Sequence, residues 1–182
     1  MGDVRPGRCP GCSAAGAPLG SRIVIVGHGT RPREVLGPAD HGHVAGGIVS
    51  ILLRRYVCRA CGAVLTVGPR GLLRGRRYSA FAIAWALALF GLIRLTLTAV
   101  RETVTLWREE PHTANLGWAS LRRWARAVRH RRLFSGLPHP PPTASLRRVA
   151  GRAAMALAAE APAERRGLRE DLRAGYGGLS SR

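Results

Sequence analysis

The stretch "RRYVCRACGAVLTV", residues Arg54–Val67, places Cys58 and Cys61 three positions apart in an apolar, β-prone run. The chain has four cysteines, and the other two, Cys9 and Cys12 in "RCPGC", have the same spacing. Two thiolates three positions apart can turn round a tight knuckle and bind one tetrahedral metal ion from the same side. The two pairs therefore predict a Zn²⁺ site whose four ligands are these cysteines.

Other states of the four cysteines stay open at this point. Unligated thiols or a disulfide would also account for them, and a histidine of the "HGH" segment, His41 or His43, could replace one cysteine ligand. The N-terminal segment "MGDVRPGRCPG" lacks the apolar region of a secretory signal, so we expect a cytoplasmic protein, in which cysteines are more often metal ligands than disulfides. A site with four protein ligands is closed and therefore structural.

The charge of the chain points to a polyanionic partner. All 29 basic residues are arginine, and against 10 acidic residues they give a formal net charge of +19. Such a charge favours nucleic acid first and an anionic membrane surface second. No nucleophilic side chain lies in a context typical of catalysis, so we expect neither enzyme activity nor a small-molecule substrate.

The composition along the chain predicts an α+β fold in three segments. Residues 1–75 contain short runs of β-branched and apolar residues punctuated by glycine and proline, which predict a zinc ribbon of short antiparallel strands. So small a segment has little core, and a bound metal would supply stability. Residues 76–134 predict a three-helix, helix-turn-helix-like unit. Residues 135–182 predict a proline-rich linker, an alanine-rich helix at Leu146–Ala161 and a disordered basic tail.

The first predicted helix lies in "YSAFAIAWALALFGLIR", residues Tyr78–Arg94, with Ser79 as its N-cap. Its apolar residues point in all directions, so the helix is either buried or in a membrane. The alternative to a soluble fold is a single membrane span at about residues 79–100, with Arg94 as its one charge. Its alanines and Arg94 favour a core helix, covered by a second helix at Thr98–Trp107 and by the third helix.

The third helix, "GWASLRRWARAVRHRR" (Gly117–Arg132), has two contrasting faces. At 100° per residue, its tryptophans, leucine and valine fall on one side and its arginines on the other, with no acidic residue in the segment. An apolar stripe that docks and a basic face that stays free are typical of a helix that enters the major groove of DNA. The arginines concerned are Arg122, Arg123, Arg126 and Arg129, extended by Arg131 and Arg132.

Double-stranded DNA is the predicted partner of this surface. RNA binding through the same surface stays open, but the segment lacks the interleaved aromatic residues of a single-strand stacking platform.

The order of these segments resembles the N-terminal DNA-binding region of bacterial insertion-sequence transposases of the zinc-ribbon plus helix-turn-helix type, over residues 8–132. Two C-x-x-C knuckles, then "RRYSAFAIAWALALFG" and then "GWASLRRWAR" carry the resemblance. It implies that the four cysteines bind zinc and that the positions from Ser120 to Arg132 face DNA. A transposase or a second copy of the chain is a candidate partner.

The sequence departs from that family in two ways. The segment "REEPHTANLG", residues 108–117, is longer than the turn of a standard helix-turn-helix. The chain also lacks the strand-borne carboxylates with which such transposases bind two metal ions. We therefore expect a DNA-binding protein that does not itself cut DNA.

Overall fold

A computed structural model describes residues 5–38, 42, 47–105 and 118–181. Three strands precede five α-helices in these residues, so the protein has the α+β fold that the sequence predicts. The strands are β1 (Ile25–Leu36), β2 (Ile48–Cys58) and β3 (Val64–Val67). The helices are α1 (Ala80–Gly91), α2 (Leu97–Val104), α3 (Ala119–Arg129), α4 (Leu146–Ala159) and α5 (Glu170–Ser180).

The strands form one sheet in the order β1-β2-β3. β2 and β3 are antiparallel, with a register that runs from Arg54 opposite Val67 to Val57 opposite Val64. Cys58 is the last residue of β2, and Cys61 lies in the short connection to β3, so the hairpin itself positions the second cysteine pair.

The chain divides into two compact units. The first takes in the chain up to Glu34 together with Ser50–Pro69, and the second takes in Val35–Val49 and Arg70–Arg182. The division differs from the three predicted segments, because residues 76–134 and 135–182 belong to a single helical unit. The reason lies in how α1 is covered.

Helix α1 is the centre of the helical unit. The Ser79 hydroxyl accepts a hydrogen bond from the Ala82 N–H (2.9 Å), so α1 begins where the sequence predicts. Most of its residues are fully buried, and it contacts all four other helices. We expected α2 and α3 to cover it, but α4 and α5 make its most extensive contacts. A helix that is apolar on every side needs partners on every side, which joins the C-terminal helices to the unit.

The membrane-span alternative does not agree with the structure of residues 79–100. Helix α1 has 12 residues, which corresponds to about 18 Å of length, well short of the bilayer core of about 30 Å. The chain then leaves the helix, with Arg94 in a left-handed conformation (φ 65°), before α2 begins at Leu97. Within the ranges described, no helix is both long and apolar enough to cross a membrane.

The C-terminal tail, which the sequence predicts to be disordered, is instead helix α5, and several of its residues are buried. Its glycines allow α5 to approach its neighbours closely. A Cβ atom added to Gly177 would lie 1.7 Å from the Leu157 carbonyl oxygen, and one added to Gly175 would lie 2.5 Å from the Phe81 ring. The prediction of disorder was wrong because glycines that weaken an isolated helix are here the residues that permit contact.

A buried carboxylate joins α5 to α1. Asp171, which is 2% exposed, accepts a hydrogen bond from Trp85 Nε1 (3.0 Å). The Arg169 guanidinium also donates to it, at 3.1 and 3.2 Å. A buried carboxylate needs such donors to offset its lost hydration, so these contacts fix the start of α5 against α1.

Helices α3 and α4 lie within their predicted ranges and are shorter than predicted, whereas α2 begins before its predicted start. Thr96 caps α2 through the Ala99 N–H (3.1 Å), two residues earlier than predicted. The predicted end of this helix at Trp107 and the connection through residues 108–117 lie outside the described residues.

Candidate metal centre and basic helix

Two knuckles with the same backbone hydrogen bonds carry the four cysteines. In the first, the Ser13 N–H donates to the Cys9 carbonyl (2.8 Å), and the Cys9 N–H donates to the Ala14 carbonyl (2.9 Å). In the second, Gly62 and Ala63 take the places of Ser13 and Ala14 around Cys58, at 2.8 and 2.9 Å. The two pairs are therefore held in matching turns.

A left-handed residue closes each knuckle. Ser13 has φ 59° and Gly62 has φ 75°. The left-handed region suits glycine and costs other residues free energy, so glycine is the expected residue at Gly62, and Ser13 carries a penalty. The repeat that marks these positions, C-P-G-C-S-A and C-R-A-C-G-A, is visible in the sequence, although the C-x-x-C spacing alone does not reveal it.

The knuckles bring the four sulfur atoms together. Cys9 Sγ lies 3.6 Å from Cys61 Sγ, and Cys12 Sγ lies 3.7 Å from Cys58 Sγ. All four lie within 4.8 Å of one another, and none forms a disulfide. A regular tetrahedron with metal–sulfur distances of about 2.3 Å has sulfur–sulfur edges of about 3.8 Å. The two cross-knuckle distances match those edges, so the cluster can hold one metal ion.

The electrostatics of the cluster also favour a cation. The Gly11 N–H donates to Cys9 Sγ (3.4 Å) and lowers the pKa of Cys9 to about 7. At Cys12 the Ala14 backbone lowers the pKa, but the Cys61 thiol, burial and the remaining thiols outweigh it and raise the pKa to about 12. One thiolate therefore forms easily, whereas further negative charge in the cluster needs a compensating cation.

Few apolar residues support the cluster. Cys9 and Cys58 are buried with Ile25, Tyr56 and Leu65, and Cys12 and Cys61 are exposed. A core of this size contributes little to folding, so a metal bound by residues from both ends of the unit would supply much of its stability.

The other predicted site is the basic face of α3. The opposite, apolar face of this helix packs against its neighbours and so fixes the helix in place. Leu121, Trp124 and Val128 are buried, and α3 contacts α1 and α4. Trp118 and Trp124 pack edge to face with centroids 4.9 Å apart, and both contact the Tyr78 ring at 5.7 and 5.0 Å. The orientation of α3 is therefore set by its aromatic residues.

The opposite face presents arginines to solvent. Arg122, Arg123 and Arg126 are exposed, and Ser120 is half-buried. None of the three arginines forms an ion pair with an acidic side chain in the described part of the chain. An exposed helix usually carries charges of both signs, so the positive charge of this face is unusual in having no compensation among the described residues.

Arg129, Arg131 and Arg132 are placed differently from these three. Arg129 is half-buried, and its Nη2 donates to the Ala144 carbonyl just before α4. Arg131 and Arg132 follow the end of α3 and are exposed, and Arg131 Nη2 lies 3.4 Å from the Ser135 carbonyl oxygen. Arg129 thus joins two helices, a role that the helical wheel could not predict because its partner is 15 residues further along the chain.

The alternative zinc ligands His41 and His43 lie outside the described residues. The cluster found in the described part of the chain contains the four cysteines alone.

Comparison with known proteins adds no relative. No family model matches the chain, and no curated protein or solved structure matches it.

Proposed function

We propose that the protein is a zinc-dependent DNA-binding protein, in which a structural Zn²⁺ holds the first unit and the arginine face of α3 binds duplex DNA. The observation that carries the proposal is the contrast between the two faces of α3. The face bearing Trp124 is buried against the helical unit, while Arg122, Arg123 and Arg126 face solvent without acidic partners among the described residues.

The geometry of the four sulfurs supports zinc. Four cysteine ligands in two knuckles are typical of structural zinc sites, and the sulfur–sulfur distances of 3.6 and 3.7 Å suit tetrahedral coordination. Tetrahedral sulfur also suits iron, so metal analysis of the purified protein must separate the two. Zinc would keep the same ligands in place without redox chemistry and would leave no open position for a substrate.

The charge and shape of α3 support duplex DNA. Arg122 and Arg126 are about one turn apart, about 6 Å along the helix axis, so they lie on the same face of α3. The major groove of B-DNA is wide enough to admit an α-helix that carries such a face. The net charge of +19 would draw the chain to phosphate from a distance. The proposed role is binding without catalysis, and the relation to transposase DNA-binding regions stays a prediction.

Binding of a labelled DNA duplex tests the α3 face. We expect the triple variant R122A/R123A/R126A to bind at least tenfold more weakly, on the order of 1 kcal/mol or less per lost phosphate contact. The slope of log affinity against log salt should fall by about 0.9 for each phosphate contact removed. R166A, which removes one exposed charge outside α3, is the single-charge control.

The outcomes separate binding modes. If R126A weakens binding to a preferred sequence more than to random duplex, Arg126 contacts bases, and equal losses mean that it contacts phosphate alone. A triple variant that binds duplex as well as the wild type would refute the proposed α3 interface. A duplex RNA competitor that displaces DNA at equal concentration would redirect the proposal to RNA.

A further inference from the structure

A second basic surface lies between α1 and α4. A groove of about 390 Å³ is lined by the end of α1 and by one side of α4, near the lower end of the volumes found for ligand sites. Gly91 and Gly151 are among its lining residues, and their backbones are in close contact. Four arginines line it, Arg94 from the α1 side and Arg147, Arg148 and Arg152 from α4.

One of these arginines is structural. Arg147 Nη1 donates to the carbonyls of Phe90 (2.7 Å) and Leu95 (3.2 Å), and its guanidinium lies 4.2 Å from the centroid of the Phe90 ring. These contacts fix α4 to the turn that follows α1. The groove is therefore held in shape by the protein itself.

Arg94 occupies a position that normally suits glycine. The Leu95 N–H donates back to the Leu89 carbonyl (3.0 Å), a hydrogen bond that closes the end of α1 while Arg94 has φ 65°. Glycine is preferred at such left-handed helix ends, and another residue there costs about 1 kcal/mol. Strained backbone conformations are often kept at functional sites, so the Arg94 side chain is a candidate ligand-binding group in this groove.

The positive charge of the other three arginines in the groove is not balanced by nearby acidic residues in the described ranges. Arg94, Arg148 and Arg152 are exposed, no acidic residue lines the groove, and none of the three has an acidic partner in the described ranges. Arg148 and Arg152 are four residues apart on α4, where like charges repel each other. A bound anion would relieve that repulsion.

We propose that this groove binds a phosphate group, with Arg94, Arg148 and Arg152 as its ligands. Phosphate offers several acceptor oxygens, which guanidinium groups from two walls of a groove can share. The exposed walls leave room for the rest of a larger molecule. The phosphate belongs either to a nucleic-acid backbone or to a small phosphorylated compound.

A contact within the helical unit connects the end of α3 to the start of α4, where the groove lies, and this favours a nucleic-acid backbone as the source of the phosphate. Arg129 at the end of α3 donates to the Ala144 carbonyl next to Ser145, the N-cap of α4 and a lining residue of the groove. The basic face of α3 and the groove are thus on neighbouring helices. The groove proposal stands whether or not α3 binds DNA.

The test compares two probes, pyrophosphate and a DNA duplex, on the full chain. The variants are R94G and R148A/R152A, with R166A as the control for lost charge outside the groove. R94G is the sharper variant, because glycine removes the side chain and also relieves the left-handed strain. It should unfold at the same or a higher urea concentration than the wild type while it binds phosphate at least fivefold more weakly.

Each result decides the question. Pyrophosphate binding that R94G and R148A/R152A weaken about fivefold or more, while R166A does not, supports a small phosphorylated ligand. Absence of pyrophosphate binding together with weaker duplex binding and a smaller salt slope in the same variants supports a backbone phosphate. The proposal is overturned if the groove variants bind both probes like R166A, or if the wild type binds neither probe.

The same variants separate this proposal from the α3 interface. Loss of duplex binding in R122A/R123A/R126A, with groove variants that bind both pyrophosphate and duplex like R166A, would keep the α3 interface and refute the groove. The reverse pattern would keep the groove and refute the α3 interface.

Discussion

The two units of this protein are held together in different ways. The first has one buried cluster of five described residues, two of them cysteines, beside four clustered sulfurs. The second buries the apolar helix α1 among four other helices, and glycines determine how closely these helices approach one another. A small unit that buries little surface gains much of its stability from a metal where one binds, whereas a larger one gains enough from packing. We therefore expect chelation to act on the first unit and core substitutions in the helices to act on the second.

The largest expected effect is that of removing a metal ligand. C58S should abolish metal binding and unfold the first unit, because a structural zinc contributes about 10 kcal/mol or more to the folding of such a site. The helical unit should keep its secondary structure. Metal content and ¹H–¹⁵N spectra with and without a chelator measure both effects. Dispersed signals from Ile25 and Tyr56 in the metal-free variant would contradict the comparison.

The next effect concerns the close contact of α5 with α4. G177A places a Cβ atom 1.7 Å from the Leu157 carbonyl oxygen, which forces the helices apart. We expect it to lower the free energy of unfolding of the helical unit by about 3 kcal/mol, with metal binding unchanged. G167A is the matched control, since nothing lies within 4 Å of the added Cβ. Urea unfolding followed by tryptophan fluorescence measures the difference, and equal midpoints would show that α5 does not pack as described.

A smaller effect is expected at the carboxylate between α5 and α1. D171A leaves the Trp85 N–H without its acceptor in a buried position, which should cost about 2 kcal/mol of unfolding free energy. E170A, at the exposed neighbouring position, should change it by less than about 0.5 kcal/mol. The same urea experiment applies. If the two variants unfold together, Asp171 does not hold α5 in place.

The smallest effect tests the similarity of the two knuckles. S13G should relieve left-handed strain and stabilise the first unit by about 0.5–1 kcal/mol, and G62A should destabilise it by a similar amount. Because folding and metal binding are coupled, competition with a chelator should report the change as about threefold in apparent metal affinity. Changes of the same sign in both variants would show that the knuckles are not equivalent.

Much of the candidate site could be predicted from local patterns. The spacing of Cys9 and Cys12 and of Cys58 and Cys61 reflects a knuckle that each pair forms by itself, and the structure brings all four sulfurs together. The exposed face of α3 follows from helical periodicity, because a helix of 11 residues repeats its faces every 3.6 residues. Both features depend on residues close in sequence.

The helical unit could be predicted less well. The glycines of α5 favour disorder in an isolated peptide. In the folded protein they leave room for the close contacts of α5 with Leu157 and Phe81. Arg129 belongs to the predicted basic face, yet it donates to the Ala144 carbonyl. The single charge of Arg94 argued against a membrane span, but nothing in the sequence predicted its left-handed conformation or its place in the groove, since both depend on how α1 ends against α4.

The sequence by itself determined the α+β class, the two knuckles, the cap at Ser79 and the two faces of α3, because each depends on hydrogen bonds or periodicity within a few residues. Only the tertiary structure decided that α1 is a buried core helix and not part of a membrane span, that the tail is helix α5, and that Arg94, from the turn after α1, lines one groove with three arginines of α4. Those outcomes depend on which distant surfaces cover an apolar helix, and burial of that helix by partners far along the chain is a property of the whole fold.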